Sequence, residues 1–135
     1  DVNPSRGLGD VYKRQDFTYV DDIVEGIYLS SISKKELIDS NFDSKDPSRS
    51  FCKSIIFNLG RGKPENLEDF IDEIENNLGK RAKRNLMPLQ PGDVPDTSAD
   101  ISGLKDFSGY EPKTSIKIGV KNFIDWYKEY YKVNL

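Results

Sequence analysis

Asp16–Ser31 reads D-F-T-Y-V-D-D-I-V-E-G-I-Y-L-S-S. Its first five residues, Asp16–Val20, place aromatic side chains on alternate positions, Phe17 and Tyr19, which predicts a short strand. The strand runs at once into Asp21-Asp22-Ile23-Val24-Glu25. Asp22 suits an N-cap, and Glu25, three residues on, would complete a capping box. Ile23, Val24, Ile27 and Tyr28 then form one apolar face as far as about Ser31. Asp21 and Asp22 can also be read as a catalytic carboxylate pair, but capping explains them more simply. A strand feeding a helix sets the expected class as α/β.

Working outward, Ser54–Leu59 (S-I-I-F-N-L) is a nearly continuous apolar run closed by Gly60, as expected of a strand buried on both faces. Asn66 can cap a helix whose face is Leu67, Phe70, Ile71, Ile74 and Leu78, with Gly79 at the position where helices end in a left-handed residue. Ile101–Phe107 reads as a short helix and Gly109–Lys113 as a turn. Ser115 can cap a final helix lined by Ile116, Val120, Phe123, Tyr127 and Tyr131, with Trp126 beside them. An aromatic stripe at that spacing is expected in the core. The polar stretch Ser33–Lys53 leaves room for a short helix over Lys34–Ser40 and a loop. The whole is one domain over residues 16–135, with mixed short strands and three main helices.

The first fifteen residues, Asp1–Gln15, show neither helical nor strand periodicity. Gly7 and Gly9 form a G-x-G, but no third glycine follows, so it is not a dinucleotide fingerprint. This stretch reads as a non-native leader similar to translated adapter sequence, and it is set aside from the fold. The chain of 135 residues is 36% hydrophobic, 32% charged and 11% aromatic, polar but rich enough in rings to fold. With a net charge of −3, its densest basic run is Lys80-Arg81-Ala82-Lys83-Arg84. That run can be read as a nucleic-acid patch or as the solvated end of a helix, where cations suit the dipole; no nucleic-acid partner is expected. The single cysteine, Cys52, has no internal disulfide partner and reads as a packing residue. The absence of histidine removes His-based triads and most zinc sites, so no metal is expected. No apolar run is long enough to span a membrane, and a cytoplasmic protein is expected.

Leu86–Asp100 (L-M-P-L-Q-P-G-D-V-P-D-T-S-A-D) stands apart. Its three prolines and one glycine rule out a helix. What remains is a stiff extended loop carrying Gln90, Asp93, Asp96, Thr97, Ser98 and Asp100. Such a loop suits ligand binding. It also suits a surface connection whose prolines only restrict the unfolded chain.

Taken together, Asp16–Gly26, Asn58-Leu59-Gly60, Gln90–Asp100 and Gly119–Tyr127 (G-V-K-N-F-I-D-W-Y) resemble the C-terminal part of a nucleotide-sugar epimerase. The family is the extended short-chain dehydrogenases/reductases, an NAD-dependent epimerase/dehydratase group, and the branch is the UDP-glucuronate 4-epimerases. The resemblance covers nearly all of Asp16–Lys132, with the motifs in the family's order. It implies a Rossmann-type enzyme whose N-terminal part holds NAD and whose C-terminal part closes over a UDP-sugar, UDP-glucuronate or UDP-galacturonate. The sugar's C4 hydroxyl is oxidised and the hydride returned to the opposite face, with a Tyr-x-x-x-Lys pair moving the proton and a glycine-rich loop on the pyrophosphate. Neither motif occurs in this sequence.

The resemblance therefore implies a substrate-binding portion with no catalytic residues of its own, truncated at its N-terminus and not expected to hold NAD. Gln90 and Asp93 fall where the family contacts the nucleotide, Asp93 as acceptor from a ribose hydroxyl and Gln90 toward hydroxyl or phosphate oxygens. The family's diphosphate arginine directly precedes D-F-T-Y. Here Gln15 holds that place and Arg14 lies one residue earlier, a shift that in a strand turns a side chain to the other face. Asn58 and Gly60 match a structural turn. The alternative is an NAD-independent module that binds a nucleotide sugar or a protein; a plain α/β domain without ligand is a third reading. Dimerisation is expected only of the full-length enzyme. Apolar surface is expected to lie exposed where a Rossmann sheet would pack.

Overall fold

The computed structural model describes residues 13–34, 54–85, 92 and 94–133. Its elements run β1 (Arg14–Gln15), α1 (Val20–Ile32), β2 (Glu65–Asn66), α2 (Leu67–Leu78), α3 (Ser102–Ser108) and α4 (Ile116–Tyr131). β1 and β2 pair antiparallel, with Arg14 opposite Asn66 and Gln15 opposite Glu65. On its other side Arg14 forms a parallel bridge to Asp96. The first strand of the short sheet thus lies in the last residues of the stretch set aside as a leader. Of Asp16–Val20, expected to be the strand, the first four residues join no ladder and Val20 already opens α1. The reason is local: the Asp16 amide donates to the Thr97 hydroxyl at 3.3 Å rather than to a neighbouring strand. Phe17 stacks on Phe70 of α2, ring centroids 4.3 Å apart and planes nearly parallel.

Helix α1 forms where expected but begins earlier and caps differently. Tyr19 is its N-cap residue, with no side-chain capping bond. Asp22, expected as the cap, sits inside the first turn and is buried. Its carboxylate accepts from the backbone N–H groups of Lys113 (3.3 Å) and Thr114 (3.0 Å) and from the Thr114 hydroxyl (3.1 Å). A carboxylate that satisfies backbone donors across the fold has no reason to cap its own helix, so the capping box is absent. Glu25 instead faces Lys113. The buried side of α1 is centred on Gly26, where an added Cβ would meet Leu59 Cδ1 at 2.9 Å and Tyr110 Cε2 at 3.0 Å. That contact turns the apolar face outward: Val20, Val24, Ile27, Tyr28 and Ile32 are all exposed.

Helix α2 has its predicted range and end, with Gly79 left-handed (φ 66°) and its N–H donating to the Glu75 carbonyl, but its apolar face is only half-buried and its one buried residue is Glu75. Asn66 occupies the N-cap, but its side chain donates to Asp69 at 3.2 Å rather than accepting from the backbone. α2 packs along α4, and α3 packs on α1. The predicted cap of α4 is present, Ser115 Oγ accepting from the Ile118 N–H at 3.3 Å. α4 buries Gly119, Val120 and Ile124, whereas Phe123, Trp126, Tyr127 and Tyr131 of the aromatic stripe are exposed. The rings instead lean on one another, as Trp126 does on Tyr130 at 5.3 Å and Tyr127 on Tyr131 at 4.7 Å.

The core centres on Leu104, Tyr110, Val120 and Ile124. Ser54–Leu59 is extended but alternates half-buried with exposed residues, and Ile56 is 72% exposed, so it is not the doubly covered strand expected. On its half-buried face, Phe57 stacks on Phe107 at 5.0 Å. The basic run after α2 is a solvated helix end. Arg81 and Arg84 reach back to the buried Glu75 at 2.6 and 3.4 Å, Arg84 to Asp72 at 2.6 Å, and the Ala82 N–H donates to Glu75 at 3.0 Å. The predicted helix over Lys34–Ser40 lies, from residue 35 on, outside the described residues, as does Cys52. No helix among the described residues is long and apolar enough to cross a membrane.

Candidate functional site

Three segments distant in sequence meet at β1: the strand itself, the Gly60–Pro64 turn, and the C-terminal end of the proline loop, Val94–Asp100. Arg14 joins them through its backbone. Its N–H donates to the Pro95 carbonyl at 2.8 Å, and its carbonyl accepts from the Thr97 N–H at 3.1 Å. Its exposed guanidinium donates to the Pro64 carbonyl at 3.1 Å. Nearby in sequence, Arg61 pairs with Glu65 at 2.6 Å, and Lys63 is an exposed cation on the same turn. Of the predicted nucleotide contacts, Arg14 therefore stands at the edge of the proline loop. Gln90 and Asp93 lie outside the described residues.

Asp16 is the residue that sequence reasoning missed. Its carboxylate accepts from the backbone N–H groups of Arg61 (3.1 Å), Gly62 (2.9 Å) and Ala99 (2.9 Å). Gly60-Arg61-Gly62 can be read as a turn whose inward N–H groups need an acceptor, but nothing near it in sequence names Asp16 as that acceptor. Gly60 has no room for a side chain, since an added Cβ would lie 2.7 Å from Ala99 Cβ, and Gly62 is left-handed at φ +68°. Beneath the turn, the fully buried Tyr110 donates its hydroxyl to the Gly60 carbonyl at 2.9 Å. Burial pushes the Tyr110 hydroxyl up to about 12, and the charges of Asp22, Asp16 and Glu25 add to that shift. It remains a neutral donor at ordinary pH. Asp100 ends the loop, and the Ser102 side chain, then the Ser102 N–H donating at 3.0 Å, hold its carboxyl below the ordinary value.

A separate cavity of about 430 Å³ lies between the start of α1, α2 and α4, lined by Phe17, Tyr19, Val20, Phe70, Ile74 and Phe123 among others. Its walls are apolar, the wrong chemistry for a charged nucleotide. It runs between the exposed faces of α1, through Val20, and α4, through Phe123.

No protein-family model matches the chain. Protein CapI of Staphylococcus aureus is 45% identical over 130 residues, a match covering 91% of this chain and 38% of that protein. UDP-glucuronate 4-epimerase 1 of Arabidopsis thaliana is 38% identical over 130 residues, covering 96% of this chain and 29% of its own length. UDP-glucuronate 4-epimerases are among the homologues of this chain. Among solved structures, UDP-glucuronic acid 4-epimerase from Bacillus cereus, in complex with UDP-glucuronic acid and NAD, superposes with a TM-score of 0.70 at 28% identity. That match covers 91% of this chain and 34% of the Bacillus chain. The chain thus spans 38% of CapI, 29% of the Arabidopsis epimerase and 34% of the Bacillus one, corresponding to the C-terminal part of the epimerases. Its mixed α/β architecture, with α1, α2 and α4 as the longer helices, is the fold of that part of a Rossmann-type extended short-chain dehydrogenase/reductase.

Proposed function

We propose that this chain is the UDP-sugar-binding portion of an NAD-dependent UDP-glucuronate 4-epimerase, a cytoplasmic enzyme of nucleotide-sugar metabolism. The observation that carries the reading is the hold on Arg14. Its backbone is bonded to the proline loop on one side and to β2 on the other, beside the loop that bears Gln90 and Asp93. In this reading Asp93 accepts from the ribose hydroxyls, Gln90 donates to ligand oxygens, and the Arg14 fork meets the diphosphate. Gln15 stands where the family's arginine would be. The antiparallel register turns Arg14 and Gln15 to opposite faces, so Arg14 reaches the diphosphate only from its own side of β1.

NAD, when bound in a full-length epimerase, supplies the transient oxidation of the sugar. The residues present do not fit it: the sequence holds neither the Tyr-x-x-x-Lys pair nor the glycine-rich loop, so this chain's share is to bind and orient the substrate. The exposed face of α1 and the half-covered Ser54–Leu59 segment support the same reading, because both present apolar surface where a further layer would pack.

Calorimetric titration with UDP and with UDP-glucuronate at low salt tests it. Saturable binding of both that Asp93→Ala abolishes is the expected result, and Gln15→Arg should tighten it. Binding indifferent to Asp93→Ala and to Arg14→Ala would overturn the site. Tight NAD binding by the chain alone would overturn the division of labour.

A further inference from the structure

We propose that Asp16 is a positioning residue for the nucleotide site: its carboxylate clasps the Gly60–Gly62 turn to the Thr97–Ala99 end of the proline loop beside Arg14. The inference rests on the reading of that edge as the UDP-sugar site. The geometry is specific. Three backbone N–H groups from two segments converge on one carboxylate, and the same residue's own N–H donates to the Thr97 hydroxyl. A carboxylate accepting several charge-assisted bonds from main-chain donors holds them more firmly than a neutral acceptor could. Because all three donors are backbone, the clasp fixes the path of both loops rather than any one side chain.

The direction of the Asp16 side chain is itself fixed from both flanks. Two residues before it, Arg14 is bonded through N–H and carbonyl to Pro95 and Thr97. One residue after it, Phe17 is stacked on Phe70. The Gly60 and Gly62 positions leave no space for the turn to settle elsewhere: an added Cβ at Gly60 would come within 3.0 Å of an Asp16 carboxylate oxygen, and one at Gly62 within 3.3 Å of the Ala99 carbonyl. Asp16 therefore sets the separation between Arg14, which would meet the diphosphate, and the Thr97–Ala99 end of the proline loop. Misplacing one half of a two-point site by a fraction of an ångström weakens binding even when both halves remain folded.

The test is UDP calorimetry and amide hydrogen exchange on the purified chain and on Asp16→Asn, Thr97→Val and Gly79→Ala. Asp16→Asn keeps the shape but turns an N–H donor toward N–H donors. It should weaken UDP by about tenfold or more, and exchange at Gly62 and Ala99 should accelerate while the α2 and α4 amides hold. Thr97→Val, a milder loss that does not threaten the fold, should weaken UDP by about threefold. Gly79→Ala strains the far end of α2, where no atom lies within 4 Å of the added Cβ. It should lower the thermal midpoint yet leave UDP affinity unchanged, separating loss of stability from loss of position. Unchanged UDP affinity in both Asp16→Asn and Thr97→Val overturns the proposal. If the parent chain does not bind UDP, the site reading fails, and exchange alone judges the clasp: no acceleration at Gly62 and Ala99 in Asp16→Asn refutes it.

Discussion

Replacing Tyr110 by phenylalanine removes one oxygen from the centre of the molecule and nothing else. The ring is fully buried, packed against Gly26, and its hydroxyl donates to the Gly60 carbonyl at 2.9 Å. Without that donor the carbonyl sits in the interior unpaired, which costs about 1–3 kcal/mol. A value near 2 kcal/mol, at roughly 3–5 °C of thermal midpoint per kcal/mol for a domain of this size, is a drop of about 6–10 °C. Tyr130→Phe, on a ring that is exposed, should change stability by less than about 0.5 kcal/mol.

Alkaline pH adds a second signature. The Tyr110 hydroxyl is raised from 10.0 to about 12. The folded value lies above the unfolded one, so the stability from neutral Tyr110 is complete below about pH 10 and is lost as pH rises through about 12. Phenylalanine cannot ionise, so the parent and Tyr110→Phe stability curves should converge over that window. Urea melts at pH 7, 10 and 11 read both effects, and ultraviolet titration should lose its last tyrosinate component in the variant. A change under about 0.5 kcal/mol at pH 7 would refute the claim that this hydroxyl braces the turn.

Glu75 should govern the acid limb. The Ala82 N–H, then Arg81 and Arg84, hold its carboxyl below the ordinary value of 4.5 against the opposing effect of burial. Its contribution is therefore present above about pH 4.5 and lost as pH falls through the lowered value; Glu75→Gln should flatten stability between pH 5 and 3 in thermal melts and lower it at pH 7. Gly26→Ala gains about 1 kcal/mol of helix propensity but forces atoms 2.9–3.1 Å apart against Leu59 and Tyr110. Overpacking at about 1–3 kcal/mol should win, and a raised midpoint would contradict the close approach of α1 to the core. Val24→Lys with Ile27→Lys, on the exposed face of α1, should leave the stability within about 1 kcal/mol of the parent while reducing self-association in sedimentation velocity. A cooperative unfolding of the double variant at much lower temperature would mean that face is covered.

The site was only partly legible. Arg14 could be named from the order of motifs, and the proline loop from its composition, because both are properties of contiguous sequence. Asp16 could not be found that way, since its donors Arg61, Gly62 and Ala99 are 45, 46 and 83 residues away. The same distance misled the reading of Asp22. Beside a helix start, an aspartate is ordinarily a cap, and nothing local says that Lys113 and Thr114 will claim it, 91 and 92 residues on.

By itself the sequence determined the helices. Their signals are short in range: the apolar period of α2 with Gly79 at its end, the Ser115 cap of α4 and the glycine after α3 all act within a turn or two. Which face of each helix is inside was decided by tertiary structure alone. The apolar stripe of α1 and the aromatic stripe of α4 look like core in one dimension, yet both are exposed, because burial depends on what stands opposite. Gly26, a small residue on the polar-looking side, won the inner face of α1 by letting Leu59 and Tyr110 come close. Periodicity fixes that a helix has two faces; only the neighbours brought by the rest of the chain choose between them.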